Sequence, residues 1–154
     1  SVYSSVLSGT VVLAQDIPAE GATVADAQRC FANTLNAALA AGKIVVCDRG
    51  VSARVDKSAE VKRAGGIGMV LVNVSAAADG LVADFHSVPS IHLPLADRSS
   101  IYAYVTSTGA VASGKISPPA APPPVVAPVM ADFSSRGPNK ANLNILKPDI
   151  SGPG

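Results

Sequence analysis

The sequence contains no tryptophan, and aromatic residues make up only 4% of it. Its core must therefore be built from Val, Ile, Leu and Ala. Charged residues are also few, at 15%, and the formal net charge is +1. That balance gives no global reason to expect a nucleic-acid partner. No apolar run approaches the ~20 residues of a membrane span, so no membrane association is expected. The start has neither a basic n-region nor an apolar h-region, so it does not read as a signal peptide. The chain reads instead as a piece of a larger precursor.

Histidine is confined to His86 and His92. A metal site needs three or four ligands. Asp84-x-His86 on an alternating strand would share one face, but only His92 lies nearby, so a structural role is expected and no metal. No cofactor is expected either. Gly65-Gly66-x-Gly68 has the look of a dinucleotide fingerprint in the wrong order, because its glycines follow a helix and open a strand. Ser134 and Ser135 are not flanked as in the Gly-x-Ser-x-Gly elbow. Two cysteines, Cys30 and Cys47, are compatible with a bridge or with two buried thiols.

What is present is a chain of 154 residues, 48% hydrophobic, enough for one domain that buries roughly 70% of its unfolded surface. Residues 42–74 are its organising stretch. Ile44, Val45 and Val46 form one apolar run, and Met69, Val70, Leu71 and Val72 form another. Runs of this kind suit strands buried on both faces. Between them Val51, Val55 and Ala59 recur at helical spacing, with Arg54, Lys57, Glu60 and Arg63 on the other side of the wheel. Gly65 is the expected helix stop. The result is a βαβ unit, right-handed if its strands are parallel. Lys43, Arg49, Arg54, Lys57, Lys62 and Arg63 are half of the 12 basic residues. They are interleaved with Asp48, Asp56 and Glu60, which reads as a solvated helix face rather than a patch for an anionic partner.

The flanks read more loosely. Residues 1–14 suggest two short strands or a hairpin broken at Gly9-Thr10. Residues 25–41 are Ala-rich, with Phe31, Leu35, Ala38 and Leu39 at helical spacing, and predict a helix. Asn73-Val74-Ser75 is a glycosylation sequon at the end of a predicted buried strand and is read as fortuitous. Val88 to Pro94 reads as an edge strand, since proline cannot donate to a central ladder. Asp97 is placed to cap a helix carrying Ile101, Tyr104 and Val105, closed by Gly109. Val111 to Ile116 reads as a last strand. Residues 117–128 hold six prolines and predict an extended strap.

GKIVVCDRG, then RVDKSAEVKRAGGIGMVLVN, then LVADFHSVPSIHL resembles the protease-associated (PA) domain inserted in subtilisin-like serine proteases, notably the large plant-type subtilases. A second block, Asp132 to Asn139 with Ile145 to Ile150, resembles the point where such proteases re-enter their catalytic domain. The resemblance implies an α/β, β-rich fold with a small sheet or barrel core and flanking helices. It divides the chain into a protease-associated domain at 1–116, a proline-rich linker at 117–128 and a catalytic-domain fragment at 129–154. It also implies a Cys30–Cys47 disulfide and hence an oxidising, extracellular setting.

The family's Asp-Thr-Gly, His-Gly-Thr-His and Gly-Thr-Ser motifs are absent from this sequence, so no catalytic residue is expected in it. Gly152 stands where the family has alanine. The implied role is a non-catalytic accessory domain of a secreted endopeptidase, governing substrate access or binding protein segments. Its partners would be a polypeptide substrate or the parent catalytic domain, with self-association possible; the alternative is a spacer or dimerisation module. The site expected to take an extended peptide is the edge formed by Val88, Pro89, Ser90, Ile91, His92 and Leu93.

Overall fold

The computed structural model describes residues 5–78, 80, 81 and 84–118. Nearly all of the proline-rich strap and the whole of 129–154, with Ser134 and Ser135, lie outside the described residues. Five strands form one mixed sheet in the order β4-β3-β2-β1-β5. They are β1 (Leu7–Leu13), β2 (Ile44–Asp48), β3 (Gly68–Val72), β4 (Ser90–Leu93) and β5 (Ser113–Ile116). The first four are mutually parallel, and β5 runs antiparallel to β1.

The apolar runs are continuous because both faces of the sheet are covered. Val45, Cys47, Met69 and Leu71 point to a layer containing α1 (Val24–Gln28), α2 (Ala37–Ala40) and α3 (Arg54–Arg63). Ile44, Val46, Val70 and Val72 point the other way, toward α4 (Arg98–Thr108), where Val105, Ile101 and Tyr102 meet them. The outcome is the α/β, β-rich architecture that the sequence implies.

Five local expectations are corrected. Gly9-Thr10 does not break the first segment, and β1 passes straight through it. Leu7 to Thr10 pair with β5, whereas Val11 to Leu13 pair with β2. Gly9 allows a close approach: a Cβ there would lie 3.0 Å from Ile67 Cδ1, and that side chain would have to give way slightly. The predicted single helix over 25–41 is two short helices around an irregular segment. Thr23 caps the first, accepting from the Asp26 N–H, and Asn36 caps the second, accepting from Ala38 and Leu39. Between them Cys30 and Asn33 adopt left-handed backbone, with φ of 50° and 62°. Local propensity loses there to tertiary bonds described below. The last strand begins at Ser113 rather than Val111, which lies in a 3₁₀ turn. Asp97 leads into α4, but its side chain makes no capping bond.

The fifth correction concerns α3. Its end is as expected: Gly65 takes φ +80° just past Ala64. Its N–H bonds Lys62 O, and the Gly66 N–H bonds Val61 O, which is the Schellman arrangement. Its buried face, however, is not the Val51/Val55/Ala59 stripe. Val51 is 94% exposed, while Lys57 is 0% and Glu60 3% exposed. The helix buries its charges because segment 29–36 supplies partners for them. Lys57 Nζ donates to Arg29 O and sits 5.1 Å from the centre of the Phe31 ring.

Burial, reinforced by Arg29 and opposed by Asp48 and Asp56, lowers the Lys57 pKa from 10.5 to about 8. The native state therefore binds fewer protons than the unfolded chain between these values, so stability rises with pH across that window. Lys57→Met removes this dependence. The stability of the parent chain relative to Lys57→Met should improve by about 1 kcal/mol between pH 7 and pH 9. Urea titrations of both proteins at the two pH values check it.

Candidate functional site

β4 closes one edge of the sheet. Its register against β3 pairs Met69 with Ser90 and Val72 with Leu93. Met69 N–H bonds Pro89 O, and Asn73 N–H bonds Leu93 O. Backbone groups of successive strand residues alternate in direction. Pro89, Ile91 and Leu93 therefore face β3, and the N–H and C=O of Ser90 and His92 face outward. Among the described residues no strand pairs with that side. The edge is short, with proline at 89 and at 94 around four strand residues.

Side chains divide β4 by face. Ile91 and Leu93 pack with the α4 layer. Ser90 Oγ donates to Val88 O. His92 Nε2 lies 2.6 Å from Asn73 Oδ1, which also accepts from Arg49 Nη1 at 3.2 Å. Arg49 Nη1 further donates to Gly80 O. One asparagine at the end of β3 thus ties the end of β2, the following loop and the edge strand together. Asn73 is fully buried, which agrees with a sequon that occurs by chance.

The segment entering β4 is anchored separately. Arg54, in the first turn of α3, grips Asp84 with two hydrogen bonds. This contact is the main cause that holds the Asp84 carboxyl below, and the Arg54 guanidinium above, its ordinary pKa. Asp84 and His86 are not on a strand; the His86 N–H turns back to Asp84 O, so the expected shared face does not form. Burial lowers the pKa of both histidines, and Arg49 and Arg54 add to the effect at His92. Among the described residues, neither Nδ1 has a hydrogen-bond partner. No group of three or more His, Cys, Asp or Glu there is placed to hold a metal.

A cavity of about 260 Å³ opens beside this anchor, lined by Arg49, Gly50, Ser52, Arg54 and Asp84 among others. Two hydrophobic side chains flank it in sequence and stand in solvent, Val51 and Phe85, the latter 90% exposed. Of the six residues expected to form the site, Ser90, Ile91, His92 and Leu93 make the edge strand. Pro89 precedes it. Val88 is 7% exposed and belongs to the core. Asn73 and Arg49 were not expected at the site; the only sequence signal was a polar residue ending an apolar run.

Cys30 and Cys47 are joined in a disulfide across 17 positions, from the irregular segment to the central strand β2. Tyr102 and Arg98 of α4 both reach Asp48 at the end of the same strand. Burial is the main cause that raises the Tyr102 pKa to about 12.

The profile of the PA domain family matches residues 7–101. The chain is 47% identical over 133 residues to the subtilisin-like protease SBT1.3 of Arabidopsis thaliana, covering 81% of this chain and 16% of that protein. It is 43% identical over 135 residues to SBT1.7, with the same coverage, and 38% identical over 145 residues to SBT5.4, covering 94% and 19%. Both are also subtilisin-like proteases of Arabidopsis thaliana. The chain thus spans under a fifth of the length of these relatives. The match over residues 7–101 takes in β1 to β4 and the start of α4, and on it the chain belongs to the PA domain family.

Proposed function

We propose that this is the non-catalytic accessory domain of a secreted subtilisin-like serine endopeptidase, and that its β4 edge takes up an extended polypeptide by strand addition. The parent protease would supply the catalytic residues. Residues 117–128 would serve as the strap that returns the chain to it, and 129–154 as the first piece of its catalytic domain. The observation that carries the docking role is the outward N–H and C=O of Ser90 and His92, on an edge with no strand beside it among the described residues. Exposed Phe85 and Val51, next to a cavity lined by Arg49, Arg54 and Asp84, give a peptide side chain an apolar rest beyond the strand. The Cys30–Cys47 bridge fits an oxidising compartment.

A specific observation favours the spacer alternative: the edge is four residues long and flanked by prolines, which is how sheets blunt an edge. Ser90→Pro separates the two. The Ser90 N–H faces away from β3, so proline there removes an outward donor without breaking the ladder. In NMR titrations of the labelled chain with extended peptides from candidate substrates, localised and saturable shifts at Ser90 to Leu93 are expected. They should disappear in Ser90→Pro while its spectrum elsewhere stays that of the parent. No shifts in the parent chain at millimolar peptide would overturn the docking role and leave the spacer.

A further inference from the structure

We propose that His92 is a proton-operated latch on β4: neutral, it holds the edge strand to Asn73; protonated, it leaves that seat and releases the edge.

The argument begins with who can donate. Arg49 has no acceptor, so the Asn73 atom that faces its Nη1 at 3.2 Å is the carbonyl oxygen. The same oxygen lies 2.6 Å from His92 Nε2, so His92 must donate. A neutral imidazole has one N–H. The proton is therefore on Nε2, and Nδ1 is bare. Nδ1 is buried and has no partner among the described residues.

A second proton has to go on that atom. It would place a donor where no described residue offers a hydrogen-bond acceptor, and a positive charge in a half-buried position. The groups that face the ring are mostly of the wrong sign for it. Arg49 follows β2, and Arg54 opens α3; both repel an imidazolium. His86, in the segment before β4, would carry a like charge once protonated. Among the described residues Asp84 is the one carboxylate that favours the cation, and Arg54 already engages both its oxygens. The imidazolium is thus better solvated outside the site than in it.

Leaving is coupled to the edge because His92 is itself an edge residue. Its side chain sits on Asn73, and its backbone groups are among those turned outward. Asn73 is also the residue whose N–H closes the β3–β4 ladder at Leu93 O. Losing the His92 bond removes one of the ties that hold this end of β4. The sign follows from linkage. The closed form binds fewer protons than the open one, so closure is at full strength above the ordinary imidazole value of 6.5 and weakens as pH falls through and below it.

The latch does not depend on peptide uptake; only its consequence, a more open docking edge in acid, rests on the role proposed for β4. The test accordingly uses no peptide. The full chain is labelled with ¹⁵N. Imidazole nitrogen shifts are read at pH 7.5, and amide exchange, corrected for intrinsic rate, is followed from pH 7.5 to pH 5. His92 should be the Nε2–H tautomer. Protection of the Asn73 and Met69 amides should fall severalfold as pH drops below 6.5.

His92→Gln keeps a donor for Asn73 but cannot titrate, so its protection should stay flat; His86→Gln should behave as the parent chain does. An Nδ1–H tautomer at neutral pH, constant protection in the parent, or an equal fall in His92→Gln would each overturn the latch. The parent-chain readings decide the matter even if a variant folds poorly.

Discussion

Glu60→Ala should destabilise the domain by about 3 kcal/mol, the cost of removing a buried carboxylate that accepts from two backbone N–H groups and pairs with a partly exposed arginine. Glu60 is the hinge of the whole irregular segment. Its Oε1 accepts from the Leu35 N–H and its Oε2 from the Asn33 N–H, each at 2.9 Å. Arg63, one turn on, donates to both oxygens at 2.7 Å and also to Leu35 O at 2.8 Å. Left-handed residues at 30 and 33 keep this stretch from forming a helical ladder, so its N–H groups need acceptors from elsewhere. Alanine removes both acceptors and strands the buried Leu35 N–H, while the 42% exposed Arg63 keeps its bond to Leu35 O and turns otherwise to water.

Glu60→Gln should cost less, because one oxygen remains, but its NH₂ must face a donor. Urea unfolding midpoints at pH 7 give both values. Burial alone would raise the Glu60 pKa; Arg63 and the two backbone N–H groups outweigh it and hold the pKa below 4.5. The stabilisation is therefore complete above the ordinary carboxylate range and lost as pH falls below it. The gap between the parent chain and Glu60→Gln should close in acid, and a gap independent of pH down to 3 would refute the ionised bridge.

The same residue shows where sequence reading stops. The strands of the βαβ unit were legible, since Ile44–Val46 and Met69–Val72 are apolar on both faces and the structure covers both. The length of α3 and its glycine stop were legible too, because they depend on local backbone rules. Its facing was not. Lys57, Glu60 and Arg63 read as a solvated stripe by every local criterion. Lys57 and Glu60 are turned inward, and Arg63 is drawn over Glu60 while 42% exposed, by acceptors and donors from residues 29–35, more than twenty positions earlier and in a segment that itself reads as helix. Each misreading hid the other.

β1 shows a related blindness. Gly9-Thr10 looks like a break, yet it marks the place where one strand hands its pairing from β5 to β2, over a hundred and over thirty residues away respectively. At the candidate site, prolines 89 and 94 announced an edge strand. Nothing near His92 announced Asn73 or Arg49, because the contact exists only once β2, β3 and β4 lie side by side.

Removing the disulfide by Cys30→Ala with Cys47→Ala should cost about 3 kcal/mol, the chain-entropy value for a loop of this size. The bridge closes 17 positions of chain, and both sulfurs lie in the core. Its effect should not simply add to that of Glu60→Ala. Both devices fix one segment: the disulfide ties Cys30 to β2, and Glu60 ties Asn33 and Leu35 to α3. Lys57 adds a third tie through Arg29 O.

Once one tie is cut, the segment has regained part of the freedom that the others restrain, so cutting the next releases less. The combined variant should therefore lose less than the sum of the two separate losses, with a coupling on the order of 1 kcal/mol, as for other residues that share partners. Four urea titrations under one set of conditions measure it: parent, Glu60→Ala, the double cysteine variant, and the combination. Additivity within about 0.3 kcal/mol would mean that the two anchors hold independent parts of the chain. Segment 29–36 would then not be the single unit that the shared bonds of Glu60, Lys57 and Cys30 make it.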